Sequence, residues 1–135
     1  MRPRLEIGID CLDPEQMARF WVEALGYEGW RGDGNPYLEL VSPDGAPAVY
    51  FQKVPEKKVA KNRLHLDLFT DEPEALVERL VGLGATRVGA PFGEHADGAP
   101  SEPGPSEPGQ AAWEWQVMAD PEGNEFCVCR EGSTT

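Results

Sequence analysis

The sequence predicts an α+β fold made of two copies of one strand–helix–strands module. Helical segments with similar start and stop signals recur at an offset of about 58 positions, and period-2 strand patterns flank both of them. The chain has 135 residues, an ordinary size for one domain. We therefore expect a single domain over residues 1–135, with module one at about 4–54 and module two at about 62–130.

The first predicted helix follows Asp13 and ends at Gly26. Asp13 is a good N-cap, and Pro14 suits the first helical position, where its missing N–H costs nothing. Gly26 allows the left-handed conformation that ends many helices. The apolar residues of this segment fall on one helical face and are expected to pack in the core: Met17, Phe20, Trp21, Ala24 and Leu25.

The second predicted helix repeats these signals. We expect Asp71 to be its N-cap, Glu72 and Glu74 to complement the positive helix end, and Gly84 to end it. Its buried stripe is Leu76, Val77, Leu80 and Leu83.

Strand patterns lie on both sides of each helix. The predicted strands are residues 5–10, 27–31, 37–41 and 48–54 in module one, and 63–69, 85–89, 113–118 and 125–130 in module two. Between them, the Pro/Gly-rich and acidic segment 91–112 predicts a flexible loop. That loop is either a lid over a pocket or a tolerated surface insertion.

Composition and charge exclude several classes of protein. The net charge of −12 argues against nucleic acid and anionic membrane partners, which need a basic patch. No apolar run approaches the roughly 20 residues of a spanning helix, and the charged N-terminus lacks a signal-peptide pattern. Three cysteines without framework spacing indicate reduced thiols. We expect a cytoplasmic protein.

Period-2 alternation predicts which strand side chains point away from the helices. In the segments 5–10 and 63–69, the apolar side chains that alternate with polar ones are expected to pack against the helices. The side chains expected on the opposite face are Glu6, Gly8, Asp10, Tyr50, Gln52, Arg63, His65, Asp67, Glu125, Cys127 and Cys129. Trp115 and Trp113 share one face of their strand, where they either stack on a flat ligand or fill the interior.

Three segments, in this order and spacing, resemble the vicinal oxygen chelate superfamily, and most of all its small glyoxalase-like domain branch. They are residues 13–26, from Asp13-Pro14 to Leu25-Gly26; residues 63–68, Arg63-Leu64-His65-Leu66-Asp67-Leu68; and residues 120–126, Asp120-Pro121-Glu122-Gly123-Asn124-Glu125-Phe126. The resemblance implies two βαβββ modules whose curled mixed sheets form a cup, with helices outside and a small-molecule ligand inside. It also implies pairing as a homodimer.

The resemblance further implies a divalent metal ion, Zn, Ni, Mn or Fe, that polarises adjacent oxygens of the substrate. Its ligands would be His65, Glu6 and Gln52. The family's last ligand is a glutamate, and Cys127 stands at its position, so this site is expected to be incomplete. A site assembled from Glu6, His65 and Cys127 would instead favour Zn²⁺.

Several functions stay open at this point. His65 is the best catalytic candidate, but it equally suits a hydrogen-bonded, pocket-lining residue oriented by Asp67, Arg63 or Glu6. The residues expected to contact a ligand are Glu6, Tyr50, Gln52, Arg63, His65, Asp67, Trp115 and Cys127. The first hypothesis is a glyoxalase/bleomycin-resistance-like protein that binds a small organic molecule. The alternatives are a metal-dependent lyase, isomerase or dioxygenase, an antibiotic-sequestering dimer, and a regulatory module with a vestigial pocket.

Overall fold

A computed structural model describes residues 2–92 and 114–132 of the chain. These residues form two βαβββ modules, each with one helix and a four-stranded mixed sheet, which confirms the predicted α+β fold. The chain divides into two compact units, Met1–Ala60 and Lys61–Thr135. In the described part, neither helix has the length and apolar character that crossing a membrane requires. The single domain and the cup remain predictions.

Module one contains β1 (Glu6–Cys11), α1 (Pro14–Leu25), β2 (Trp30–Arg31), β3 (Tyr37–Leu40) and β4 (Ala48–Lys53). Its sheet has the order β1-β4-β3-β2. The first strand pairs in parallel with the last, and the other pairings are antiparallel.

Module two contains β5 (Leu66–Thr70), α2 (Pro73–Gly82), β6 (Thr86–Arg87), β7 (Trp115–Ala119) and β8 (Glu125–Arg130). Its sheet has the order β5-β8-β7-β6, again with one parallel pair, β5 with β8. The two modules therefore share one topology, as the sequence repeat predicts.

Each helix packs on one face of its own sheet because both carry an apolar surface. In module one, α1 lies on β3 and β4. Its core is Met17, Phe20, Trp21, Leu38, Leu40, Val49 and Phe51. In module two, α2 lies on β5 and β8, and the core includes Val77, Leu80, Met118, Phe126 and Val128. We call the sheet face opposite the helix the distal face of each module.

The second helix begins later than predicted. Its N-cap is Glu72, not Asp71, because Pro73 occupies the first helical position and sets the boundary. The Glu72 side chain makes no capping hydrogen bond. The last helical residue is Gly82 and the C-cap is Leu83, and Gly84 follows with a φ of 110° as the predicted glycine that stops the helix.

The predicted strand 63–69 is also shorter, since β5 begins at Leu66. Leu64 is 88% exposed and therefore does not cover the helix. The edge strands β2 and β6 have two residues each, shorter than predicted.

Most of the predicted loop 91–112 lies outside the described residues, as do His95 and Trp113. Its beginning belongs to the sheet, because Phe92 forms an antiparallel bridge with Trp115. The Phe92 N–H donates to the Trp115 carbonyl at 2.8 Å, and the Trp115 N–H donates back at 3.3 Å.

The two helix starts allow a matched test of capping. Asp13 accepts a hydrogen bond from the Gln16 N–H at 3.1 Å, so we expect Asp13→Ala to lower the free energy of unfolding by about 1 kcal/mol. Asp71→Ala, one residue before the N-cap of α2, is the control and should change it by less than about 0.5 kcal/mol. Urea denaturation measures both, and equal losses would contradict the assigned helix starts.

Candidate functional site

Three side chains with metal-binding or hydrogen-bonding atoms converge on the distal face of module two. They are His65, Asp67 and Cys127, and we call them the polar cluster. One ligand atom from each lies within 4.8 Å of the others. The His65 Nδ1 is 2.8 Å from the Asp67 Oδ1, and the Cys127 thiol also hydrogen-bonds to Asp67. Because an ionised carboxylate only accepts, both His65 and Cys127 donate to it.

Strand register brings these residues together. Asp67 on β5 pairs directly with Cys127 on β8, which places both side chains on one face about 5 Å apart in the sheet. His65 lies just before β5, and its ring nitrogen reaches the Asp67 carboxylate on that face. The side chain of His65 is 52% exposed and that of Asp67 is 26% exposed. Cys127 is half-buried.

A buried aspartate fixes the turn that leads into β8. Asp120 is 3% exposed, and its carboxylate accepts from the Glu122 N–H at 2.9 Å and the Asn124 N–H at 3.0 Å. The Asn124 side-chain amide donates to both of its oxygens. The turn therefore sets where β8 begins, and with it the position of Cys127 beside Asp67.

A second contact ties the chain before β5 to the start of β8. The Asn62 N–H donates to the Glu125 carboxylate at 3.0 Å, and the Asn62 side-chain amide lies 3.4 Å from the Glu125 carbonyl. These bonds hold the segment that carries His65 close to the strand that carries Cys127.

Both thiols on this face are held in the protonated form. Burial, the Asp67 charge and the hydrogen bond to Asp67 raise the pKa of Cys127 to about 11, against a lowering by Lys61. Burial and the charges of Asp67 and Cys127 raise the pKa of Cys129 to about 12. Since the thiolate is the nucleophile, this environment does not activate Cys127 for nucleophilic chemistry.

Aromatic side chains lie beside the polar cluster on the same face. Trp115 and Phe69 both pair with Cys129 in the sheet, one on each side. The Trp115 and Phe92 rings are stacked, with centroids 4.9 Å apart and planes 15° from parallel. We call Phe69, Trp115 and Phe92 the aromatic row. It lies two residues along the strands from the Asp67–Cys127 pair, a distance of about 7 Å.

The predicted ligand-contacting residues of module one lie on its own distal face. The Tyr50 ring covers Gly8, where an added Cβ would come within 2.5 Å of the ring and its hydroxyl. Tyr37 packs edge-to-face against Tyr50, with centroids 6.3 Å apart. Gln52 pairs with Asp10 and Tyr37 across the sheet.

Glu6 and Gln52 sit at different levels of the first sheet. Glu6 pairs with Ala48, four residues before Gln52, which corresponds to about 13 Å along the strand. Glu6 is exposed and forms an ion pair with Arg4. Arg63 is exposed and precedes β5.

Part of this site was not expected from the sequence. Asp67 was predicted to orient His65 and contact a ligand, and the structure adds that it joins His65 to Cys127. The sequence predicts a loop at Phe92, and its bridge to Trp115 depends on a pairing distant in sequence. The sequence indicates the Asp67–Cys127 pairing only indirectly, because period-2 alternation places both side chains on the face away from the helix.

Two modules of this topology, with polar and aromatic side chains on the distal sheet faces, define a protein of the vicinal oxygen chelate superfamily. Residues 6–129 match the family model of the glyoxalase-like domain, and the chain belongs to that family. No curated protein matches the sequence significantly.

Solved structures of the same fold include enzymes and resistance proteins. A glyoxalase/bleomycin resistance protein/dioxygenase family enzyme from Burkholderia phytofirmans is 19% identical, with a TM-score of 0.63, over 93% of this chain and 95% of its own. The fosfomycin resistance protein FosX from Mesorhizobium loti is 14% identical, with a TM-score of 0.62, over 96% and 91%. A mutant FosX from Listeria monocytogenes, complexed with Mn(II) and 1S,2S-dihydroxypropylphosphonic acid, is 13% identical, with a TM-score of 0.66, over 96% and 90%.

Removing the Asp120 carboxylate tests its role in the turn. We expect Asp120→Ala to lower the free energy of unfolding by about 2 kcal/mol, because the partly buried N–H groups of Glu122 and Asn124 lose their acceptor. The exposed Asp44 of the corresponding turn in module one is the control, and Asp44→Ala should cost less than about 0.5 kcal/mol. Chemical denaturation measures both, and similar losses at the two turns would refute the assigned role.

The contact between Gly8 and Tyr50 predicts a coupled pair of substitutions. Gly8→Ala should destabilise the protein by about 1 kcal/mol, since the Tyr50 ring must move to admit the methyl group. In a Tyr50→Ala background the same change should cost nothing or stabilise the strand. A double-mutant cycle on the free energy of unfolding checks this, and an equal cost in both backgrounds would show that the ring does not limit position 8.

Proposed function

We propose that this protein binds a small organic molecule on the distal faces of its sheets. The observation that carries the proposal is the distal face of module two, where the hydrogen-bonding polar cluster lies beside the aromatic row. Ligand sites combine apolar and aromatic surface with a few convergent polar groups that fix orientation. The match to the glyoxalase-like domain supports the same class of function.

The arrangement favours a ligand with two unlike parts. A planar, apolar part fits the stacked Trp115 and Phe92 rings, since aromatic rings attract flat groups in offset or edge-on contacts. A polar group about 7 Å away fits His65 and Asp67, which together present a donor and an anionic acceptor. The net charge of −12 favours a cationic ligand through long-range attraction.

Within module two, Arg63 lies two residues before His65, and we propose that it contacts the polar group of the ligand. We further propose that the protein acts as a cytoplasmic homodimer. Size-exclusion chromatography with light scattering measures the oligomeric state, and a monomer at micromolar concentration would overturn that part.

A second candidate function is metal-dependent lyase, isomerase or dioxygenase chemistry at His65. Two observations favour it: the ligand atoms that gather at the polar cluster, and the Mn(II) bound by the similar Listeria protein. A metal bound there would act as a Lewis acid on substrate oxygens. The residues that would hold it are His65, Asp67 and Cys127.

A thermal-shift panel tests the binding proposal on chelator-treated protein. It contains 1,2-dicarbonyls, catechols and cationic aromatic antibiotics. We expect at least one planar compound to raise the melting temperature on the order of 10 °C at a hundredfold excess over its Kd, because a ligand of the native state stabilises it by mass action.

The matched variants are Trp115→Ala and Trp30→Ala. Trp30 pairs with the buried Leu40 and so lies on the helix side of the first sheet. The ligand-induced shift, measured relative to each variant without ligand, should disappear in Trp115→Ala and persist in Trp30→Ala. Failure of every compound to shift the melting temperature, or a full shift in Trp115→Ala, would overturn the proposal.

A further inference from the structure

We propose that Tyr37, Tyr50 and Asp10 form a binding site for an organic ammonium group on the distal face of module one. The ligand is a small alkylammonium cation, in which methyl or methylene groups surround a positively charged nitrogen. This inference goes beyond the proposed function, because all of its residues belong to module one. The binding proposed above is carried by the polar cluster and the aromatic row of module two.

Two tyrosine rings meet at a steep angle on this face. Tyr37 on β3 pairs with Gln52 on β4, and Tyr50 lies two residues before Gln52, so the two tyrosines are diagonal neighbours across the strands. Their ring centroids are 6.3 Å apart and their planes are inclined by 70°. We call the two rings the tyrosine corner. An ammonium group in the angle between them lies within about 6 Å of both centroids, the range over which an aromatic face attracts a cation.

Strand pairing holds the Tyr50 ring in place before any ligand arrives. Tyr50 pairs with Gly8 on β1, and its ring occupies the space that a side chain at position 8 would need. Tyr37 is 56% exposed, and Tyr50 is partly exposed. The tyrosine corner is therefore both formed in advance and accessible, which lowers the cost of ordering side chains when a ligand binds.

Asp10 places a negative charge beside the tyrosine corner. It pairs with Gln52 across β1 and β4, so Gln52 lies between Asp10 and Tyr37 in one row of the distal face. Neighbouring strands are about 4.8 Å apart, which sets Asp10 about 10 Å from the backbone of Tyr37. In the described part of the chain, the side chains of Asp10 and Gln52 make no hydrogen bond or ion pair. The carboxylate is thus free to balance the charge of a bound cation.

The other charged side chains of this face are arranged in opposite pairs. Glu39 on β3 lies directly opposite Arg31 on β2, and Glu6 forms an ion pair with Arg4. Asp10 has the neutral Gln52 as its partner across the sheet, so its charge is not offset in the same way. The net charge of −12 adds a long-range attraction for cations.

The chemistry of these groups favours an organic cation over an inorganic one. Aromatic faces attract a cation electrostatically, and the methyl groups of an alkylammonium also gain apolar contact with the rings. A small divalent ion such as Mg²⁺ gives up its hydration reluctantly, and here it would find one carboxylate to replace that water. An anion would be repelled by Asp10.

Choline is the probe that tests the site, and dimethylbutanol, in which an uncharged carbon replaces the ammonium nitrogen, is the matched control. Full-length protein is titrated with each compound and followed by two-dimensional amide NMR spectra. We expect choline to cause saturable shifts of β1, β3 and β4 resonances, and to bind at least about tenfold more tightly than dimethylbutanol. Added salt should weaken choline binding and leave dimethylbutanol binding unchanged.

The chain offers matched variants for the rings and for the charge. Tyr37→Leu and Tyr50→Leu should each weaken choline binding about threefold, whereas Tyr37→Phe, which keeps the aromatic face, should retain it. Asp10→Asn should weaken choline binding about threefold. The exposed Asp44 lies in the turn before β4, and Asp44→Asn should bind choline as the native protein does. Circular dichroism of each variant verifies folding.

Three results would overturn the inference: equal affinity for choline and dimethylbutanol, shifts confined to module two, or unchanged choline binding in both Tyr37→Leu and Asp10→Asn. Choline binding should persist in Trp115→Ala, the variant that is expected to lose the ligands of the thermal-shift panel. A protein that binds choline but no panel compound therefore retains the ammonium site and loses the proposed function, and the reverse result does the opposite.

Discussion

The parallel pairing of β5 with β8 is the constraint on which the site depends. It sets Asp67 opposite Cys127 on the distal face and leaves Phe126 and Val128 on the helix side. A slip of one residue would reverse the two faces of β8, turning Glu125 toward the helix and Phe126 and Val128 away from it. The Asp120 turn opposes such a slip, because its buried carboxylate satisfies the backbone N–H groups that enter the strand.

The corresponding parallel strand pair carries different side chains in the two modules at one structural position. Gly8 and Asp67 each lie six residues before the proline that begins the helix, and each pairs with a residue of the last strand. In module one, the missing Gly8 side chain leaves room for the Tyr50 ring. In module two, a carboxylate meets a thiol. A duplicated backbone thus carries an aromatic surface in one copy and a carboxylate–thiol pair in the other.

Much of this fold follows from local patterns in the chain. Asp13, Pro14 and Gly26 set the bounds of α1 through capping and left-handed geometry, and all three are as predicted. Prediction was less accurate at α2, where Asp71 and Glu72 are both acidic and only the position of Pro73 distinguishes them. Strand ends were misplaced for a related reason: Leu64 continues the alternation of β5, but no neighbouring strand pairs with it in the described part of the chain.

The sequence by itself determined the duplicated α+β modules, the helix faces and the distal side chains, because periodicity and caps are properties of neighbouring residues. Tertiary structure alone decided that Asp67 joins His65 to Cys127, that Phe92 stacks on Trp115, and that Glu6 and Gln52 lie at different levels of their sheet. Those relations arise from strand register, which depends on turns and on partners up to 60 positions apart, such as Asp67 and Cys127. A pattern read along one strand does not contain that information.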